Sequence, residues 1–229
     1  MSKNVGAGPV LVIGIDGATF DQILPLVEQG KLPHIGAILR RGSWGPLRST
    51  IPPVTTPAWS SFMTGVNPGR HGIYDFRYRA AGTYVLRTNN LTMNRAPTLW
   101  EVLSHHDERC CVINIPASWP PRPINGVWVT GILTPADAET FTYPPELTQE
   151  IRRAIPDYEV WPANVFHPKG REREFLQAVE DLTWKRVALF RFLQGLGEWD
   201  FQMIVFMGAD QVQHAMWHYQ DPSHAQYDP

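Results

Sequence analysis

The apolar positions along this chain fall into two periods. Val10-Leu11-Val12-Ile13-Gly14-Ile15 is an unbroken, β-branched run. Such a run suits a central strand of a parallel sheet, covered on both faces. Asp16-Gly17 ends it. Ile23, Leu24, Leu26 and Val27 then recur at helical spacing and are expected to face inward. Thr19 or Asp21 stands where a cap belongs, and Gly30 stops the helix. A second helix is predicted over 33–41, ending at Gly42. Pro57 sits where a first-turn proline would, with Thr55 or Thr56 at the N-cap, opening a helix through about Met63. Residues 72–95 are polar with β character at Tyr84, Val85 and Leu86. Further strands are predicted over 110–115, 127–131 and 202–207. Helices are predicted over 97–105 and 172–193, and from Asp210 to about Tyr219.

Strands alternating with helices define an α/β class with a mostly parallel sheet sandwiched by helices. Residues 135–170 carry many prolines and aromatics and little periodicity. They read as a cap or insertion over the active face.

Composition narrows the function classes. The chain has 229 residues, 43% hydrophobic and 18% charged, so it can bury a sizeable core. Its formal net charge is -2 and no long basic run occurs, which argues against a nucleic-acid partner. Arg40-Arg41 and Arg152-Arg153 read as solvated helix faces. The two cysteines, Cys110 and Cys111, are adjacent. In a strand they point to opposite faces and do not pair, which fits a reduced, cytoplasmic setting. No apolar run reaches membrane length or makes a signal-peptide core, so no membrane partner is expected.

The chemistry gathers at strand ends. Open parallel sheets bind ligands beyond the carboxyl ends of their strands. Asp16 follows the first strand and Asp210 the last. His214 lies four residues after Asp210, on the same helical face, so carboxylate and imidazole can converge on one ion. His218 continues that stripe. Thr55-Thr56-Pro57 opens a helix, where free N–H groups and the helix dipole favour a phosphate and a deprotonated oxygen. Each feature alone has a plainer use as a helix cap or a surface pair. Their joint occurrence favours a site.

In order along the chain, the motifs are Val-Ile-Gly-Ile-Asp16-Gly17, Thr55-Thr56-Pro57 ahead of Met63-Thr64-Gly65, Pro68-Gly69-Arg70-His71-Gly72-Ile73, and Asp210-Gln-Val-Gln-His214. Together they resemble the type I phosphodiesterases/nucleotide pyrophosphatases of the alkaline phosphatase superfamily, in particular a prokaryotic group of predicted phosphohydrolases and phosphomutases. The likeness spans residues 10–229. It implies an alkaline phosphatase-like fold and phosphoester hydrolysis of a small molecule through a threonine nucleophile. It also implies two divalent metal ions, zinc in the family. Thr55 matches the nucleophile and Asp16 the carboxylate on the same metal. Asp210 and His214 match ligands of the other metal. His71 matches no ligand position and reads as structural. The phosphomutase reaction is the alternative within the same superfamily.

Three departures qualify the resemblance. The family's Asp-His-Gly motif and its further histidine, both expected downstream of Asp-x-x-x-His, do not occur. The chain thus reads as an N-terminal portion, 1–229, of a longer catalytic domain. A second alternative follows: a catalytically incomplete metal- or phosphate-binding fragment. Phe76 stands where nucleotide pyrophosphatases carry an asparagine, which removes the support for a nucleotide substrate; Arg77, Arg79 and Arg95 are the candidate cations nearby. The sulfatase pattern is excluded, because Thr55 cannot form its aldehyde and Trp59 replaces its arginine. Trp119, Trp128, Trp161 and Phe166 are read mainly as core and loop anchors, with ring stacking on a substrate as the alternative.

Overall fold

The computed structural model describes residues 8–162 and 170–228. Its centre is a five-stranded sheet with the strands in the order β1-β7-β4-β5-β6. These are β1 (Val10–Ile15), β4 (Cys110–Ile115), β5 (Gly126–Thr130), β6 (Thr142–Tyr143) and β7 (Phe201–Phe206). β1, β7, β4 and β5 run parallel, and β6 is antiparallel at one edge. Two short strands, β2 (Arg77–Arg79) and β3 (Leu86–Thr88), form a separate antiparallel ribbon within the polar stretch.

The α/β reading is met, and most predicted elements fall within a few residues of their expected places. The helices are α1 (Phe20–Glu28), α2 (Pro33–Arg41), α3 (Thr55–Thr64), α4 (Pro68–His71), α5 (Leu99–His105), α6 (Leu147–Ala154), α7 (Glu172–Gln194) and α8 (Gly208–Met216). Thr19 is the residue that caps α1, accepting from the Asp21 N–H.

All six residues of β4 are buried, and their alternation divides the core in two. Cys111 and Ile113 join Val127, Val129, Leu189 and Leu193 on one face. Cys110 and Val112 join Met63, Trp100, Trp128 and Met203 on the other. Both cysteines are therefore free and on opposite faces. Burial pushes the thiols up, Cys110 to about 11 and Cys111 to about 12. Phe141, Leu147, Ile151, Tyr158 and Val160, from the Pro/aromatic-rich stretch, pack into the first of these faces. Phe166 lies outside the described residues. No helix among the described residues is long and apolar enough to cross a membrane.

β1 departs from its expected setting. It lies at the sheet edge, with β7 as its single neighbour among the described residues. Val10, Leu11 and Ile13 are 50%, 49% and 55% exposed. The inward face expected of α1 is likewise incomplete, since none of its residues is buried. An apolar run signals that both faces suit burial, but it does not say which neighbours provide it. Beside β1, a cleft of about 600 Å³ opens between α1, α2 and α8, lined by Ile15, Ile23, Leu26, Ile35, Val212 and Met216 among others.

Candidate active site

The strand order puts the two acidic strand ends side by side. Ile15 pairs with Phe206 at the last rung of β1 and β7. Asp16 follows directly on one strand, and Asp210 lies in the first turn of α8 after the other. Gly17 lets them approach. Its φ is +71°, and a Cβ there would fall 2.7 Å from the Asp210 Cα. Only glycine gives both the left-handed turn and that contact without strain. The Gly17 carbonyl also accepts from Gln213 Nε2 at 2.9 Å, which ties α8 to the same turn.

Thr55 comes from a third direction. Val54 is the N-cap of α3, in extended conformation, and caps nothing with its side chain. Thr55 is thus the first helical residue, and its hydroxyl is not used as a cap. It donates instead to Asp16 Oδ2 at 3.2 Å, across 39 residues of sequence. Helix N-termini leave their first N–H groups without partners inside the helix, and they carry partial positive charge. The Thr55 hydroxyl therefore sits where an anionic oxygen is favoured. One turn along, Trp59 donates its indole N–H to Asp16 Oδ1 at 3.1 Å.

Burial governs the carboxylates. It raises the Asp16 pKa, against the lowering effect of the Trp59 and Thr55 hydrogen bonds. It raises that of Asp210 too, and the negative charge of Asp16 adds to it. His214 is largely exposed and places Nε2 3.4 Å from Asp210 Oδ1. Two desolvated carboxylates that repel each other, one beside an imidazole and one beside a hydroxyl, form an oxygen/nitrogen donor set suited to a divalent cation. They fit as two partial ligand pairs, Asp16 with Thr55 and Asp210 with His214. Among the described residues, no group of three or more His, Cys, Asp or Glu side chains converges as a complete metal site.

Thr55, Asp210 and His214 line one cavity of about 680 Å³. Its remaining wall is mainly apolar and includes Phe76, Ile132, Trp161, Phe175 and Met207. Asp16, which accepts from the Thr55 hydroxyl, is not among the lining residues. Arg77, Arg79 and Arg95 are not among the lining residues. Trp161 is, whereas Trp128 is core and Trp119 donates to the Thr140 carbonyl. His218 does not join Asp210; it packs its ring on Tyr219 at 4.1 Å, with His224 at 6.1 Å. His71 is buried, and that burial lowers its pKa. Its Nε2 lies 2.9 Å from Ser61 Oγ, and its Nδ1 accepts from the Ile73 N–H, so it braces the turn after α3.

Sequence reasoning missed Trp59 and Gln211. Trp59 was visible only as a residue four after Thr55, a spacing that puts both on one helix face. Gln211 is buried at the cavity wall, and its amide atoms have no partner among the described residues.

An alcohol on α3, the carboxylate after β1, and a carboxylate and an imidazole on α8 thus gather beyond the carboxyl ends of β1 and β7, where parallel sheets bind their ligands. The model of the type I phosphodiesterase / nucleotide pyrophosphatase family matches residues 10–227, and the chain belongs to that family. Two solved structures share its fold. Phosphonoacetate hydrolase from Sinorhizobium meliloti 1021 in complex with phosphonoformate superimposes with a TM-score of 0.62 at 18% identity, over 97% of this chain and 49% of that one. The same enzyme in complex with phosphonoacetate gives 0.59 at 18% identity, over 96% and 49%. The chain thus spans about half the length of these structures. No curated protein sequence matches it.

Proposed function

We propose that the protein to which this chain belongs hydrolyses phosphoesters of small molecules, with Thr55 as nucleophile and two divalent metal ions, zinc in our reading. The observation that carries this is the Thr55 hydroxyl. It leads a helix and donates to Asp16 across 39 residues, and Thr55 lines a cavity together with Asp210 and His214.

Asp16 and Thr55 would hold one ion, and Asp210 and His214 the other. Bound there, the ions supply charge that lowers the hydroxyl pKa and offsets the negative charge of the transferring phosphoryl group. The chain's own part is positional. The N-terminus of α3 receives a phosphate oxygen, and the Asp16 carboxylate fixes the direction of the Thr55 hydroxyl. Thr55 Oγ1 then forms a bond to phosphorus as the bond to the leaving oxygen breaks, and water later releases phosphate from the threonine. The apolar wall of Phe76, Ile132 and Trp161 accommodates the organic part of the substrate.

The ligands within this chain make up about half of such a site. The remaining ones would come from the part of the fold that the phosphonoacetate hydrolase structures possess beyond their match to this chain. On that reading the isolated chain turns over slowly or not at all. The test is hydrolysis of p-nitrophenyl phosphate and bis-p-nitrophenyl phosphate with added zinc, by this chain and by a longer one, each beside its Thr55→Ala variant. The longer protein is expected to lose at least a hundredfold in kcat with Thr55→Ala, on the scale of losing a catalytic group. Undiminished turnover in that variant removes Thr55 from the role.

A further inference from the structure

The indole of Trp59 is held in a purpose-shaped seat. Its far ring edge lies over Gly14 in β1, two residues before Asp16. A Cβ on Gly14 would fall 2.4 Å from Trp59 Cη2 and 3.0 Å from Cζ3. The same position would meet a Val205 methyl at 3.1 Å, so the strand packs tightly on both sides. Seated there, the indole delivers its one N–H to Asp16 Oδ1, while Thr55 takes Oδ2. Each carboxylate oxygen thus has its own donor, and both donors come from the first two turns of α3.

We infer that Trp59 is a positioning residue: it fixes the rotation of the Asp16 carboxylate so that Oδ2 faces Thr55 and the cation shared with it. This rests on the reading of Asp16 as a metal ligand. The chemistry suits the task. A carboxylate turns freely about its last bond, and its two oxygens are equivalent until something distinguishes them. An indole N–H donates and cannot accept, so it engages only one oxygen. It is also neutral. A lysine or arginine in its place would orient the carboxylate equally well but repel a cation bound to it. Hydrogen bonds to metal-binding carboxylates act in this way, and their loss typically lowers metal affinity about 10–100-fold.

The test uses the longer protein and zinc alone, followed by calorimetry, with thermal unfolding as a check on folding, because this chain carries only part of the ligand set. Asp16→Asn is the control for the site. If it leaves the zinc affinity of the longer protein unchanged, or if that protein binds no zinc, the metal reading of Asp16 fails and the inference falls with it. Given a loss in Asp16→Asn, Trp59→Phe is expected to weaken zinc binding at least tenfold, since phenylalanine keeps a ring and lacks the donor. A change below twofold in a folded Trp59→Phe protein overturns the inference. Gly14→Ala supplies an independent arm, because it displaces the indole without removing it. Zinc affinity should fall in Gly14→Ala alone and change little when that substitution is added to Trp59→Phe, whose shorter ring lacks the clashing carbons. Equal losses in both backgrounds would contradict the coupling. In the metal-free chain, the indole N–H resonance that disappears in Trp59→Phe should move in Asp16→Asn. An unmoved resonance would show that the hydrogen bond is not formed, whatever the fate of the metal site.

Discussion

Gly17→Ala tests the junction on which the whole site depends. Two separate penalties follow from the structure. With φ at +71°, alanine would adopt the left-handed conformation, which costs about 1–2 kcal/mol. Its methyl would also sit 2.7 Å from the Asp210 Cα and 3.0 Å from the Asp210 backbone nitrogen. Backbone cannot swing aside as a side chain can, and overpacking of this kind costs about a further 1–3 kcal/mol. The sum is about 2–5 kcal/mol, or roughly 4–20 °C in Tm for a domain of this size. Gly30→Ala separates the two parts. Gly30 has the same φ of +71°, but a Cβ there meets nothing within 4 Å. It should show the conformational cost alone. The assay is urea denaturation of the metal-free chain, with wild type and both variants compared at equal m-values. If Gly17→Ala is no more destabilising than Gly30→Ala, the close approach of Asp210 to the Asp16 turn is wrong, and the site geometry with it.

Two further predictions concern ionisation. The Asp16 and Asp210 carboxyls are both raised above their ordinary value of 3.8, by burial first and, for Asp210, by the charge of Asp16 second. A carboxyl raised on folding stabilises the fold below its unfolded pKa, and that contribution is lost as pH rises through the folded pKa. Asp210→Asn removes one charge of the facing pair, so it should raise the Tm of the metal-free chain near pH 7 and do so less near pH 4; a gap that shrinks as pH rises would refute this. Cys110 and Cys111 are fully buried, with pKa values of about 11 and 12, so Ellman's reagent at pH 8 should titrate neither thiol in the native chain and both in denaturant. Fast labelling of the native chain would disprove their burial.

The parts of this site that could be read from sequence are those set by local rules. Asp16 and Asp210 follow apolar runs, and parallel sheets bind ligands at such ends whatever the strand order. Thr55 stands before a first-turn proline, so a helix N-terminus was expected there, and α3 starts at Thr55 itself. Local rules did not reveal that the Thr55 hydroxyl forgoes capping. That follows from Asp16, 39 residues away, lying within 3.2 Å of it. The adjacency of Asp16 and Asp210 depends equally on β1 pairing with β7 across nearly the whole chain. Trp59 was hidden for the same reason, since its spacing from Thr55 places it on a helix face but not opposite a carboxylate. His218 shows the reverse error. Its spacing continues the Asp210–His214 stripe, but the chain tightens into a 3-10 turn at Trp217–Tyr219, and the ring leaves that face.

The exposure of β1 departs from the character of its sequence. Its sequence has the character of a strand buried on both faces, yet Leu11 and Ile13 are about half exposed at the sheet edge. The apolar cleft between α1, α2 and α8 adjoins the same strand through Ile15. The strand thus keeps the composition of a covered element while its outer surface runs into a cleft and not into packed core. Asp16 follows Ile15 directly, so the carboxylate that accepts from Thr55 and Trp59 stands at the end of the least covered strand of the sheet. Its partial burial therefore comes from α3 and from the Asp210 turn, through Trp59 and Gly17, and not from the strand that carries it.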